Sequence, residues 1–144
     1  MSLPDAFWDS SALIPLCIFQ IQSARAKVLF KSFGIVVWWA TPVEIVSGLT
    51  RLQRMREIDH DEFLHGMRRA QGLANVWDSL ASSTSTVPNA CSLLELYPLR
   101  AADALQLAMA LEACEHKPQG YVFITADQRL ADAARLTGFT VEFL

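Results

Sequence analysis

Cysteine is scarce in this chain. The 144 residues hold three, Cys17, Cys91 and Cys114. The number is odd, the spacing wide, and no CxxC pair occurs, which argues against a disulfide framework or a zinc site and fits a reducing cytoplasm. Histidine is equally sparse, at three. His60 and His65 do not share a helix face and His116 is isolated, so no imidazole ligand set or general base is indicated. Neither sign of charge dominates: 12 Lys and Arg stand against 15 Asp and Glu, a net charge of −3. That balance argues against a protein that coats nucleic acid non-specifically, while leaving room for a local basic patch. No apolar run is long enough to span a bilayer. The opening stretch to Gln20 lacks a basic start, is interrupted by Asp5 and Asp9 and carries Pro15, so it is read as neither leader nor anchor. Internal repeats and low-complexity segments are missing too.

What is present is a hydrophobic fraction of 52%, enough for a single domain over 1–144 with a sizeable core. The chain is organised around Leu99 to Glu115, LRAADALQLAMALEACE, a helix apolar on almost every side. Such a helix is packed between other elements. Its first turns nevertheless carry Asp103, and a carboxylate there is costly unless something pairs with it.

Alternating elements surround this helix. Ala6 to Trp8 reads as a buried strand ending at Asp9. Ser10 or Ser11 caps a helix running, with a break near Pro15, towards Phe30. Ile35 to Trp39 is the clearest strand, β-branched and aromatic without polar alternation; its tryptophans, like Trp8, read as core. Thr41 is the expected N-cap of the next helix, with Pro42 at its first position and Glu44 closing a capping box. A second helix from about Asp59 to Ser79 makes an antiparallel hairpin with it, spanning Pro42 to Ser79. Thr86 to Pro88 is read as a short strand and Cys91 to Tyr97 as a short helix. After the central helix come a strand at Tyr121 to Ile124, a helix from Thr125 to about Leu136, with Thr125 and Gln128 as its capping box, and a last strand at Thr140 to Phe143. The order predicts an α/β fold: a parallel sheet of four or five strands covered by helices on both faces, with every strand's carboxyl end on one edge.

That edge gathers acids. Asp9 and Asp127 follow strands, while Glu44 and Asp103 lie in the first turns of flanking helices, and open parallel sheets form their sites at the carboxyl edge. Singly, each has an ordinary reading as a cap or first-turn acid. Jointly they pose a problem, since two carboxylates ~5 Å apart repel by roughly 3 kcal/mol at an effective dielectric of about 20. Hard oxygen ligands suit Mg²⁺ or Mn²⁺, and such ions activate water and stabilise a leaving oxygen. Ser10, Ser11 and Thr125 could orient water or phosphate. Arg51, Arg54, Arg56, Arg68 and Arg69 are read mainly as a solvated helix face. Arg100 and Arg129 adjoin site acids and are the better phosphate candidates.

At these residues the chain resembles the PIN-domain ribonucleases, in particular the VapC-type toxins of toxin–antitoxin pairs. The matching segments are FWDSSAL at Phe7, TPVEI at Thr41, RAADALQLA at Arg100 and FITADQRL at Phe123, in the family's order and spanning nearly the whole chain. The resemblance implies a three-layer PIN-like fold and a metal-binding, catalytic quartet of Asp9, Glu44, Asp103 and Asp127, with Ser10 and Thr125 as accessory hydroxyls. It also implies Mg²⁺- or Mn²⁺-dependent hydrolysis of RNA to 5′-phosphate and 3′-hydroxyl ends, a homodimer, and an antitoxin partner. The match fades between Ala81 and Tyr97, and Asp127 occupies the family's most variable acidic position. A phosphatase of the haloacid-dehalogenase type would want a second Asp two residues after the first, where Ser11 stands. A receiver domain would want an earlier acidic pair and a late lysine. A PIN-like module that binds RNA or protein without catalysis remains the alternative.

Overall fold

In the computed structural model, which describes residues 2–144, five strands form one parallel sheet in the order β3-β2-β1-β4-β5. The strands are β1 (Asp5–Trp8), β2 (Gly34–Trp38), β3 (Asp78–Leu80), β4 (Val122–Thr125) and β5 (Thr140–Phe143). β1 is central, pairing Ala6 with Ile35 on one side and with Val122 on the other. Seven helices cover it: α1 (Ser10–Cys17), α2 (Ser23–Ser32), α3 (Thr41–Arg54), α4 (His60–Ala74), α5 (Thr86–Leu96), α6 (Ala101–Ala113) and α7 (Gln128–Thr137).

Strand alternation divides the core in two. Trp8, Val37 and Ile124 join Leu13, Ile45 and Leu49 beneath α1 to α4. Phe7, Val36, Trp38 and Phe123 join Leu107, Met109 and Leu130 beneath α5 to α7. Helix α6 packs against α5, α7 and β2, and Ala104 and the run from Gln106 to Ala110 are buried, although Ala101 and Ala102 in its first turn are exposed. The fold class, the buried central strands and the α3–α4 hairpin are as the sequence predicts.

Several local expectations change. The first helix breaks after Cys17, not at Pro15, because Ser23 Oγ accepts from Gln20 N (2.8 Å) and donates to Pro15 O (2.7 Å), stapling the loop. Thr41 is not a cap: Ala40 precedes α3 in helical geometry, and Thr41 Oγ1 is buried without a partner. Helix α4 ends at Ala74, short of Ser79, which lies in β3. The third strand is therefore Asp78–Leu80, paired with Val36 to Trp38, while Thr86 to Pro88 is the first turn of α5. Proline is tolerated there because first-turn N–H groups have no intrahelical partner. Trp39 is 55% exposed rather than core, its Nε1 donating to Ser82 Oγ at 2.8 Å.

The hairpin's second helix starts with a full capping box. Glu62 N donates to Asp59 Oδ1 (2.8 Å), and Asp59 N donates to Glu62 Oε1 (3.1 Å). Asp59→Ala removes one half of it and should lower stability by about 1 kcal/mol, read as a lower urea midpoint with an unchanged slope.

Candidate active site

Parallel pairing in the order β2-β1-β4 leaves the ends of these strands side by side, and a cleft of about 730 Å³ opens at that edge. Asp9, Glu44, Asp103 and Asp127 all line it. Residues up to 118 positions apart in sequence thus meet where the topology brings strand ends and helix starts together.

Asp9 is the deepest, 4% exposed. Its Oδ1 accepts from Gln106 Nε2 at 3.0 Å. Its Oδ2 accepts from Thr125 Oγ1 at 2.8 Å and from Ser11 Oγ. The two hydroxyls are themselves aimed by backbone donors: Ala126 N bonds Ser11 Oγ (2.9 Å) and Asp127 N bonds Thr125 Oγ1 (3.0 Å). Three elements therefore fix one carboxylate.

Glu44 is not the capping-box residue of α3. Its Oε1 accepts from Trp38 Nε1 at 2.7 Å, a bond from the end of β2 that turns the side chain to the cleft. Burial pushes its carboxyl up to about 7; the Trp38 bond opposes the rise, and repulsion from Asp9 and Asp103 adds to it. Asp103 is also raised, chiefly by burial and then by Asp127, with Asp9 adding less; the Arg100 backbone N–H and guanidinium pull the other way. Asp127 does serve as a cap, accepting from Leu130 N at 3.1 Å through Oδ1. The Thr125–Gln128 capping box does not form, since Thr125 is committed to Asp9.

Ser10 lines the cleft wall, but the hydroxyl on Asp9 is that of Ser11. Arg100 and Arg129 line the cleft as expected, joined by Asp132 and by Arg51, which is not confined to a solvated helix face. Gln106 went unnoticed among apolar neighbours; its spacing of three from Asp103, one face of α6, was the available signal. Among the described residues, ion pairs join Arg25 to Glu142 and Arg135 to Asp132. The three cleft arginines take part in neither.

The donor set is all oxygen, which suits a hard divalent cation. Among the described residues no three His, Cys, Asp or Glu side chains close into a ready cage. An ion that keeps several waters and takes one or two carboxylates does not require one. Burial, with repulsion between the carboxylates adding to it, raises Glu44 and Asp103, and such an ion would offset both. The residues therefore fit Mg²⁺ or Mn²⁺ in an open site.

No protein-family model matches the chain, and no curated protein matches it. Solved structures do. A toxin–antitoxin complex from Klebsiella pneumoniae aligns over 88% of this chain and 91% of its own, with TM-score 0.64 and 18% identity. PAE2754 from Pyrobaculum aerophilum aligns over 96% and 89%, with TM-score 0.65 and 17% identity. FitAcB from Neisseria gonorrhoeae aligns over 96% of both chains, with TM-score 0.62 and 15% identity. The likeness is one of fold: the chain has a PIN-like fold, a parallel sheet flanked by helices, as its motifs suggest. No helix among the described residues is long and apolar enough to cross a membrane.

The raised Glu44 carries a stability signature. Between its ordinary value of 4.5 and about 7, the unfolded chain releases a proton that the folded chain keeps. Stability of the metal-free protein should therefore fall as pH rises through that window, with the full penalty above it. Glu44→Gln should remove the penalty. Discounted for an open cleft, the gain is about 1–2 kcal/mol at pH 8 and vanishes near pH 4, measured by thermal unfolding in EDTA.

Proposed function

We propose that this protein is a metal-dependent endoribonuclease, the toxin of a toxin–antitoxin pair, acting in the cytoplasm as a homodimer held in check by an antitoxin. The observation that carries the reading is the convergence of four sequence-distant acids with three uncommitted arginines in one cleft. Acids alone repel a phosphodiester; acids with a bound cation and flanking arginines attract it. One fold neighbour, titled as a toxin–antitoxin complex, supports a toxin and an antitoxin partner. Three free cysteines support a reducing compartment.

Asp9, Glu44, Asp103 and Asp127 would hold Mg²⁺ or Mn²⁺, which when bound supplies an activated water and charge stabilisation at the phosphate. The chain's own residues do the positioning. Ser11, Thr125 and Gln106 hold both oxygens of Asp9 in one orientation, so that the ligand needs no reorganisation. Trp38 holds Glu44 by one oxygen and leaves the other for the cleft. Arg100 and Arg129, at the starts of α6 and α7, orient the phosphate oxygens, and Ser10 stands on the wall beside them. Hydrolysis would leave a 5′-phosphate and a 3′-hydroxyl.

The alternative reading is a PIN-like module that binds RNA or protein without turnover. Cleavage decides between them. Purified protein should cut total RNA with Mg²⁺ or Mn²⁺ and stop in EDTA. Asp103→Asn should cost at least about 100-fold in rate, the scale of a lost electrostatic group. No divalent-dependent turnover on any RNA would leave the binding module.

Gln106→Leu separates positioning from packing. It frees Asp9 Oδ1 but also removes a buried, unpartnered Oε1, and these effects oppose each other in stability. Mn²⁺ affinity by calorimetry should fall about 10- to 100-fold while the melting temperature shifts little. Unchanged affinity would reduce Gln106 to a packing residue.

A further inference from the structure

A second cavity of about 340 Å³ lies beside the acidic cleft, in the groove between α1 and α3. The two adjoin, sharing Ser10, Ser11, Glu44 and Arg51. Their chemistry differs. The cleft holds all four acids, whereas the side groove has one carboxylate, Glu44, at the shared boundary, with Arg51 and the hydroxyls of Ser10 and Ser47. Moving from the cleft into the groove, acids give way to Ser47, Gly48 and the apolar Ile14 and Val43, with Arg51 on the shared boundary.

The α3 sequence produces this gradient. Glu44, Ser47, Gly48 and Arg51 fall at i, i+3, i+4 and i+7, one stripe facing α1. Arg51 lies two turns from Glu44, about 10 Å along the axis. Gly48 sets the depth: a Cβ there would run into Ile14 Cδ1, so the glycine lets α1 and α3 approach and form the groove floor. Arg51 and Ser47 are exposed, and Arg51 takes part in neither of the ion pairs among the described residues. An arginine left uncommitted beside the carboxylates of the cleft is placed for an external anion.

We propose that the α1–α3 groove is a subsite for the nucleotide next to the scissile bond, with Arg51 binding its phosphate and Ser47 lining its seat. This rests on the nuclease reading. It makes the cleft asymmetric: Arg100 and Arg129 serve the phosphate at the acids, and Arg51 serves its neighbour along the strand.

The test takes the shortest RNA fragment that wild-type protein cuts in a digest of total RNA and extends it one nucleotide at a time on either side. Adding a nucleotide on one side should lower KM. Arg51→Gln and Ser47→Phe, the latter filling the groove from an exposed position, should each abolish that gain, with the loss, about tenfold, in KM rather than kcat. The fall of log kcat/KM with log salt should become shallower by about 0.7 in Arg51→Gln, as one phosphate contact to a single strand disappears. Arg54→Gln, the same charge change elsewhere on exposed α3, should keep the wild-type slope. If Arg51→Gln and Arg54→Gln keep the same slope while wild type cuts RNA, the subsite is wrong and the nuclease reading stands. If wild type shows no metal-dependent cleavage, both fall.

Discussion

The carboxylate of Asp9 is the constraint on which the site depends. It ends the central strand, almost out of water, and is tolerated because Ser11, Thr125 and Gln106 donate to it from α1, the end of β4 and α6. Burying such a group without donors would cost several kcal/mol. Those bonds also tie both faces of the sheet to its carboxyl edge. Helix α6 brings Gln106 to Asp9 and Asp103 to the cleft, so its placement beside β2 and α7 serves the core and the site together.

The other acids are held differently. Glu44 has one donor, Trp38, and Asp127 spends an oxygen on capping α7. Asp9 is fixed by three donors, while Glu44 and Asp103, desolvated by burial and further crowded by neighbouring carboxylates, hold their protons more tightly than usual. Protons would therefore compete with the proposed divalent cation for the same oxygens. That competition would link pH, metal affinity and stability in one cleft, and the arginines around it form no direct ion pair with the acids among the described residues.

Much of this was legible in the chain. Uniformly apolar strands, helix starts after strand ends, and acids at those junctions specify a parallel sheet with an acidic edge. The four motif acids meet because topology, which the alternation of elements encodes, brings them there. The partners that orient them were harder to read. Ser11 and Ser10 are adjacent hydroxyls at a helix start, and only the helix phase decides which one faces Asp9. Gln106 sits in an apolar helix where a single polar residue carries no evident partner. Thr41 followed by Pro42 and Glu44 has the form of a capping box, yet Trp38 claims the glutamate from the preceding strand. β3 escaped because Asp78, Ser79 and Leu80 have little strand propensity; backbone pairing to β2 alone makes them a strand. Trp39 read as core because it follows four strand residues, but it lies just past the strand's end.

Anomalous diffraction from crystals soaked in Mn²⁺ at pH 8 tests the central claim most directly. Anomalous density in the cleft, bonded to Asp9 and to at least one of Glu44, Asp103 and Asp127, is the expected result. An empty cleft in crystals of protein that cleaves RNA in the same Mn²⁺ buffer would contradict it.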